Sequence, residues 1–215
     1  MQPPKSSICV ICGVRDATTA EHLPPRGFFK GTVGEFRTVP ACGVCNNGNS
    51  DDDEELRNYI SAQVGEATES AEKLWSKGAL KSLKRSSRLR MELTRTLHEV
   101  QIAAPNGELN TRLAFTVSEA LYQRVFERIT RGLHFFHIGN MLPPDTRVLV
   151  TPLYESPDIA ALEIQQMVHF SVAGGAFDYR FYVDPQGGDN GFWLFTMHSS
   201  HWVMSVVGNT IEDDK

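Results

Sequence analysis

Apolar side chains recur at intervals of three and four early in the chain, at Leu56, Tyr59, Ile60, Val64, Ala67, Ala71, Leu74 and Trp75. That spacing puts them on one face of a helix. Ser50 can cap its first amides, and Asp51, Asp52, Asp53, Glu54 and Glu55 load the first turn with the negative charge that the helix dipole favours there. The helix is expected to run from Ser50 to about Ser76, near Gly78. A second stripe, Leu121, Tyr122, Val125 and Ile129, follows a Ser118 cap, with Val117 and Tyr122 as a hydrophobic staple, and is expected to stop at Gly132. Residues 91–103 and 109–116 read as the two arms of a hairpin around Pro105, Asn106 and Gly107, because Asn-Gly favours a tight turn. Runs rich in β-branched and aromatic residues follow at 133–138, 147–150, 164–172, 179–183, 192–197 and 202–207. They predict an antiparallel sheet.

Residues 8–50 carry neither period. Pro24, Pro25 and Gly27 exclude a long helix there, and 31–39 read as a turn feeding a short strand. The fold class expected is α+β: a small N-terminal finger over residues 1–57, a long linking helix over 58–77, and over 78–215 an antiparallel sheet with at least one helix. A chain of 215 residues with 41% hydrophobic and 22% charged residues can bury a real core. The net charge of -5 argues against a general coating of nucleic acid, so any such contact must come from local patches.

The cysteine distribution changes the picture. All four cysteines form two Cys-x-x-Cys pairs, Cys9 with Cys12 and Cys42 with Cys45, and none follows. The start, Met1 to Ser7, has no apolar core of signal-peptide length, and no run approaches a membrane helix. A cytoplasmic location is expected, where thiols stay reduced; this favours a bound metal over disulfides. Two such knuckles can close a tetrahedral zinc site of four thiolates.

Between the knuckles lie Glu21, His22, Leu23, Pro24 and Pro25, and Asn46 follows the second one. Over about residues 8–57 these motifs resemble the cysteine-bearing branch of the HNH endonuclease family. The resemblance implies a ββα-metal, treble-clef-like finger stapled by structural Zn²⁺. It also implies a nuclease that hydrolyses phosphodiester bonds, most readily in DNA, with His22 as general base and with Glu21 and Asn46 holding catalytic Mg²⁺ or Mn²⁺. The chemistry is coherent without the family: a neutral imidazole is a suitable base at cellular pH, and hard oxygen donors suit such an ion. Adjacent strand residues point to opposite faces, so a bulge or turn would be needed to bring Glu21 and His22 to one site. The sequence departs from the family at Glu21, where Asp is usual, and no Asn lies between His22 and Cys42.

Basic residues complete the reading. Arg26 and Arg37, inside the finger, are candidates for steering the scissile phosphate, and Lys81, Lys84, Arg85 and Arg88 belong to a basic run that can contact nucleic acid. Arg124, Arg128 and Arg131 share one helical face and are weaker candidates. The histidine pairs 134/137 and 198/201 are three apart, which on strands aims them to opposite faces, so they are not expected to share an ion. The rival function is a catalytically inactive zinc module that binds nucleic acid or a protein.

Overall fold

The computed structural model describes residues 5–62, 69–104, 106–153, 157, 167–185 and 190–208. Val64 and Ala67 of the predicted helix, Pro105 of the predicted turn, and residues 164–166 of a predicted strand lie outside them. So do residues 186–189, between the predicted strands 179–183 and 192–197.

The chain opens with a tight turn over the first knuckle, in which Cys9 N donates to Arg15 O at 2.7 Å and Gly13 N to Cys9 O at 2.8 Å. A hairpin follows, β1 (Thr19–Leu23) against β2 (Arg37–Ala41), antiparallel and in unbroken register from Thr19↔Ala41 to Leu23↔Arg37. Between its strands a single 3-10 turn, Arg26–Phe29, buries Phe28 and Phe29. The short helix α1 (Gly43–Asn47) leads to α2 (Ser50–Ala62). The first helix of the sequence is therefore present from Ser50.

Its expected end near Ser76 is not where the helical backbone stops. After α3 (Glu69–Leu74), a π-turn over Trp75–Ala79 runs into α4 (Leu80–Arg85), and α5 (Ser87–Arg95) follows. Gly78 is buried inside the π-turn, where a side chain would sit 3.5 Å from the Lys30 side chain. Ser86 then caps α5, accepting from Leu89 N at 3.2 Å. Residues 91–95, expected on the first arm of the hairpin, are accordingly helical. The hairpin itself is β3 (Leu97–Ala103) paired with β4 (Leu109–Phe115).

α6 (Glu119–Ile138) passes straight through Gly132 and ends at Gly139, which takes φ 86°. Residues 133–138, expected as a strand, are its last turns. Gly132 is a contact residue rather than a stop: a Cβ there would lie 2.4 Å from Cδ1 of the buried Leu23 on β1. The helix lies so close to the hairpin that only hydrogen fits. Ser118 occupies the cap position with extended backbone, yet its side chain makes no capping bond.

Among the described residues five further strands form one antiparallel sheet in the order β5-β9-β8-β7-β6: β5 (Val148–Leu153), β6 (Val168–Val172), β7 (Phe177–Val183), β8 (Gly191–Met197) and β9 (His201–Val207). One face packs on α6, where Phe126 meets Phe195 at 5.3 Å between ring centroids. The finger adds its own side chains to the same core. Leu23, Phe28, Phe29 and Leu56 belong to one continuous cluster with Ile129, Phe177 and Trp193. No helix among the described residues is long and apolar enough to cross a membrane.

Charges reinforce the crossing of α2 on α6. Arg124 holds Asp52 through two bonds of 2.7 and 2.8 Å, and Arg128 pairs with Asp53. Arg131 is bonded to Glu127 at 2.9 Å and to the carbonyls of Pro143 and Thr146. The helical face proposed from spacing for nucleic acid is thus committed to internal partners, because the acidic start of α2 packs against it. Replacing Gly132 with Val forces α6 off Leu23, and overpacking of this kind costs about 3 kcal/mol; urea unfolding should show the loss as a lower midpoint at unchanged slope.

Candidate metal centre and the adjoining cavity

Four sulfurs meet at the base of the finger. The Sγ atoms of Cys9, Cys12, Cys42 and Cys45 all lie within 4.8 Å of one another. Tetrahedral zinc with bonds of about 2.3 Å asks for sulfurs about 3.8 Å apart, so the donor set fits one thiolate-bound ion such as zinc. It is the only cluster of three or more His, Cys, Asp or Glu with such geometry among the described residues.

The backbone prepares this cluster. Val10 N donates to Pro40 O at 3.1 Å, laying the first knuckle against β2. Cys42 is the cap of α1, its sulfur accepting from Cys45 N at 3.4 Å, and Arg15 reaches the same sulfur at 3.9 Å. Burial alone would raise the Cys42 thiol, but the Cys45 amide and the Arg15 guanidinium outweigh it and hold the pKa at about 6. Burial pushes Cys45 upward, as a second charge beside its neighbours is disfavoured. Cys12 and Cys42 are thus held below the ordinary thiol value and Cys9 and Cys45 above it, and a divalent cation would favour the ionised form of all four.

At the other end of the hairpin lies a cavity of about 350 Å³ lined by His22, Arg26, Glu35, Phe36, Arg37, Thr38 and Phe136, with Gly34 at its edge. Thr38 stands directly across from His22 in the register. The His22 ring meets Phe36 edge-on, with centroids 6.4 Å apart, and the Arg26 guanidinium lies 5.5 Å from the Phe36 ring centroid. Burial and then the Arg26 charge lower the His22 pKa, leaving its imidazole neutral at neutral pH.

The three residues expected to act together do not share this cavity. The β1–β2 register has no bulge, so Glu21 and His22 obey strand alternation and face opposite ways. Glu21 is 3% exposed and turns inward, with the Arg128 guanidinium and the Asp53 carboxylate as its charged neighbours. Its Oε2 is buried without a hydrogen-bond partner. Burial raises its pKa to about 7; Arg128 offsets part of the rise and Asp53 adds to it. Asn46 sits at the end of α1, where its Nδ2 donates to Ala20 O at 3.2 Å. A second ion held jointly by Glu21 and Asn46 and facing His22 does not fit this arrangement. Arg128, paired with Asp53, acts on Glu21 only through space, but the Glu21 carboxylate lies on the other side of the strand from His22.

Of the other expected residues, Arg26 and Arg37 do join His22 at the cavity. Lys81, Lys84 and Arg85 are exposed on α4, and Arg88 is exposed on α5 with Glu92 at 3.1 Å. The sequence reading missed Thr38 and Phe136. Thr38 becomes visible once the hairpin register is known; Phe136 has no sequence signal, since it comes from a helical turn read as strand. Comparison with protein-family profiles, characterised proteins and solved structures finds no match.

Two outcomes follow from these charges. Chelating the metal, or replacing Cys9 with Ser, removes the staple; amides of residues 8–47 should then lose hydrogen-exchange protection, and the parent should carry one zinc per chain by elemental analysis. Glu21 binds its proton more tightly folded than unfolded, so the folded state takes up protons between the ordinary carboxylate value of 4.5 and about 7. Stability is therefore lost as pH rises through that window. Relative to Glu21→Gln, the parent should lose up to about 3 kcal/mol between pH 4.5 and 8, measured by denaturant unfolding at each pH.

Proposed function

We propose that this protein is an HNH-like endonuclease that hydrolyses phosphodiester bonds in nucleic acid, DNA first, at the cavity beside the hairpin. The observation that carries this reading is the joining of a neutral imidazole, His22, with two guanidiniums, Arg26 and Arg37, on one cavity wall. Hydrolysis of a phosphodiester needs a base for water and positive charge for the phosphate. His22 takes the proton from the attacking water as its oxygen bonds to phosphorus; the P–O3′ bond breaks and the leaving 3′ oxygen takes a proton from solvent. Arg26 and Arg37 neutralise the phosphate oxygens as charge builds on them. The order of knuckle, hairpin, knuckle and helix supports a ββα-metal, treble-clef-like finger with zinc at the thiolates. On this reading residues 1–57 supply the base, and the residues beyond them complete the wall through Phe136.

Mg²⁺ or Mn²⁺ is not assigned to Glu21 and Asn46, because the strand separates Glu21 from His22. That same separation favours a second reading, a zinc module that binds nucleic acid without cutting it. Plasmid incubated with the zinc-loaded protein, with and without added Mg²⁺ or Mn²⁺, decides between them. Nicking that falls by about a hundredfold or more in His22→Ala supports the enzyme. Retention of the DNA in a gel shift, with no nicking under any ion, supports the binding module. Nicking equal in parent and variant removes His22 from the mechanism.

A further inference from the structure

Arg37 is held from outside the finger. It begins β2, yet its guanidinium carbon lies 5.3 Å from the ring centroid of Phe136 on α6 and 5.9 Å from that of Phe170 on β6. Its charge also reaches the Tyr179 phenol on β7 and His137 on α6. The Tyr179 hydroxyl is 2.8 Å from His137 Nε2. Burial raises Tyr179 to about 12, an effect Arg37 partly offsets, while burial and then the Arg37 charge lower His137 to about 4. Both are neutral at neutral pH, so the phenol can donate to the imidazole and keep an oxygen lone pair toward Arg37. Neither neutralises the guanidinium charge.

The loop entering β2 is fixed by the same part of the chain. Ala173 N donates to Glu35 O at 3.2 Å. Gly34, at φ 152°, and Gly174, at φ 67°, approach so closely that a Cβ on Gly34 would lie 2.4 Å from Gly174 N. The backbone before Arg37 and the side chain of Arg37 are therefore both positioned by α6 and the sheet. Meanwhile the Arg37 Nε is buried with no hydrogen-bond partner. A planar guanidinium held against two rings at the wall of a cavity offers a fork of donors that matches an anion's oxygens. Glu35 is the one acid on the cavity wall, against the two arginines.

We propose that Arg37 is a phosphate-recognition residue of this cavity, with Phe170 on β6, whose ring lies against its guanidinium, as a positioning residue, so that the C-terminal sheet completes the substrate site. The ligand is one phosphate of a nucleic-acid backbone. The inference rests on the reading of the cavity given under the proposed function.

The test is binding of a fluorescein-labelled DNA duplex by the full-length, zinc-loaded protein, followed by anisotropy across a salt series. Arg37→Ala should weaken binding about tenfold, the loss expected for hydrogen bonds to a charged group. It should also reduce the slope of log affinity against log salt by about 1, the signature of one lost phosphate contact. Phe170→Leu keeps the Arg37 charge and should keep the slope, while losing affinity about threefold, the size of one cation–π contact. A residue acting only on stability would leave both unchanged under conditions where the variant stays folded. Parent affinity and slope in Arg37→Ala, or no binding by the parent, overturns the inference. Arg37-dependent binding without any nicking leaves it standing and removes the nuclease reading. His22-dependent nicking with Arg37-independent binding does the reverse.

Discussion

Helix α6 rests against the β1–β2 hairpin at a point where no side chain intervenes, Gly132 over Leu23. That approach sets the geometry around it. It brings Arg128 to Asp53 and within reach of Glu21, and Phe136 to the far end of the hairpin, where it walls the cavity. One face of β1 is thereby committed to the interior, and alternation along the strand leaves His22 on the other.

The thiolate cluster acts on a smaller scale. It ties the first knuckle to the start of α1, a region with few buried apolar residues of its own: Cys9, Ala41 and Cys42 form a cluster separate from the main core. A metal held by the four sulfurs would supply there what hydrophobic burial supplies elsewhere. The remainder of the finger, through Phe28, Phe29 and Leu56, depends on the same core as the sheet. Finger and sheet are thus mechanically joined, and the position of Arg37 between Phe136 and Phe170 is a consequence.

Local chemistry made much of this legible. The Cys-x-x-Cys spacing announced the sulfur cluster, because two knuckles need little more than a tight turn each. The β-branched and aromatic runs from 179 onward became β7, β8 and β9 for the usual reason, that such side chains pack on a pleated surface. A glycine or a short apolar run misleads when only its neighbours in sequence are weighed. Gly132 signalled a stop, yet a glycine inside a helix also marks a place where another element comes near. Residues 133–138 looked strand-like because Phe135 and Phe136 favour strands, but both are buried in the last turns of α6.

By itself the sequence determined the four-sulfur cluster, the start of α2, the Asn-Gly hairpin and the sheet-forming character of the C-terminal half, since each follows from spacing or backbone preference over a few residues. Only the tertiary structure decided that Glu21 faces Arg128 while His22 faces a cavity, that the arginines of α6 bind acids rather than solvent anions, and that Arg37 is gripped by residues about a hundred positions or more away. Charge and aromatic contacts of that kind depend on which surfaces meet, and meeting is a property of the packed chain, not of any segment in it.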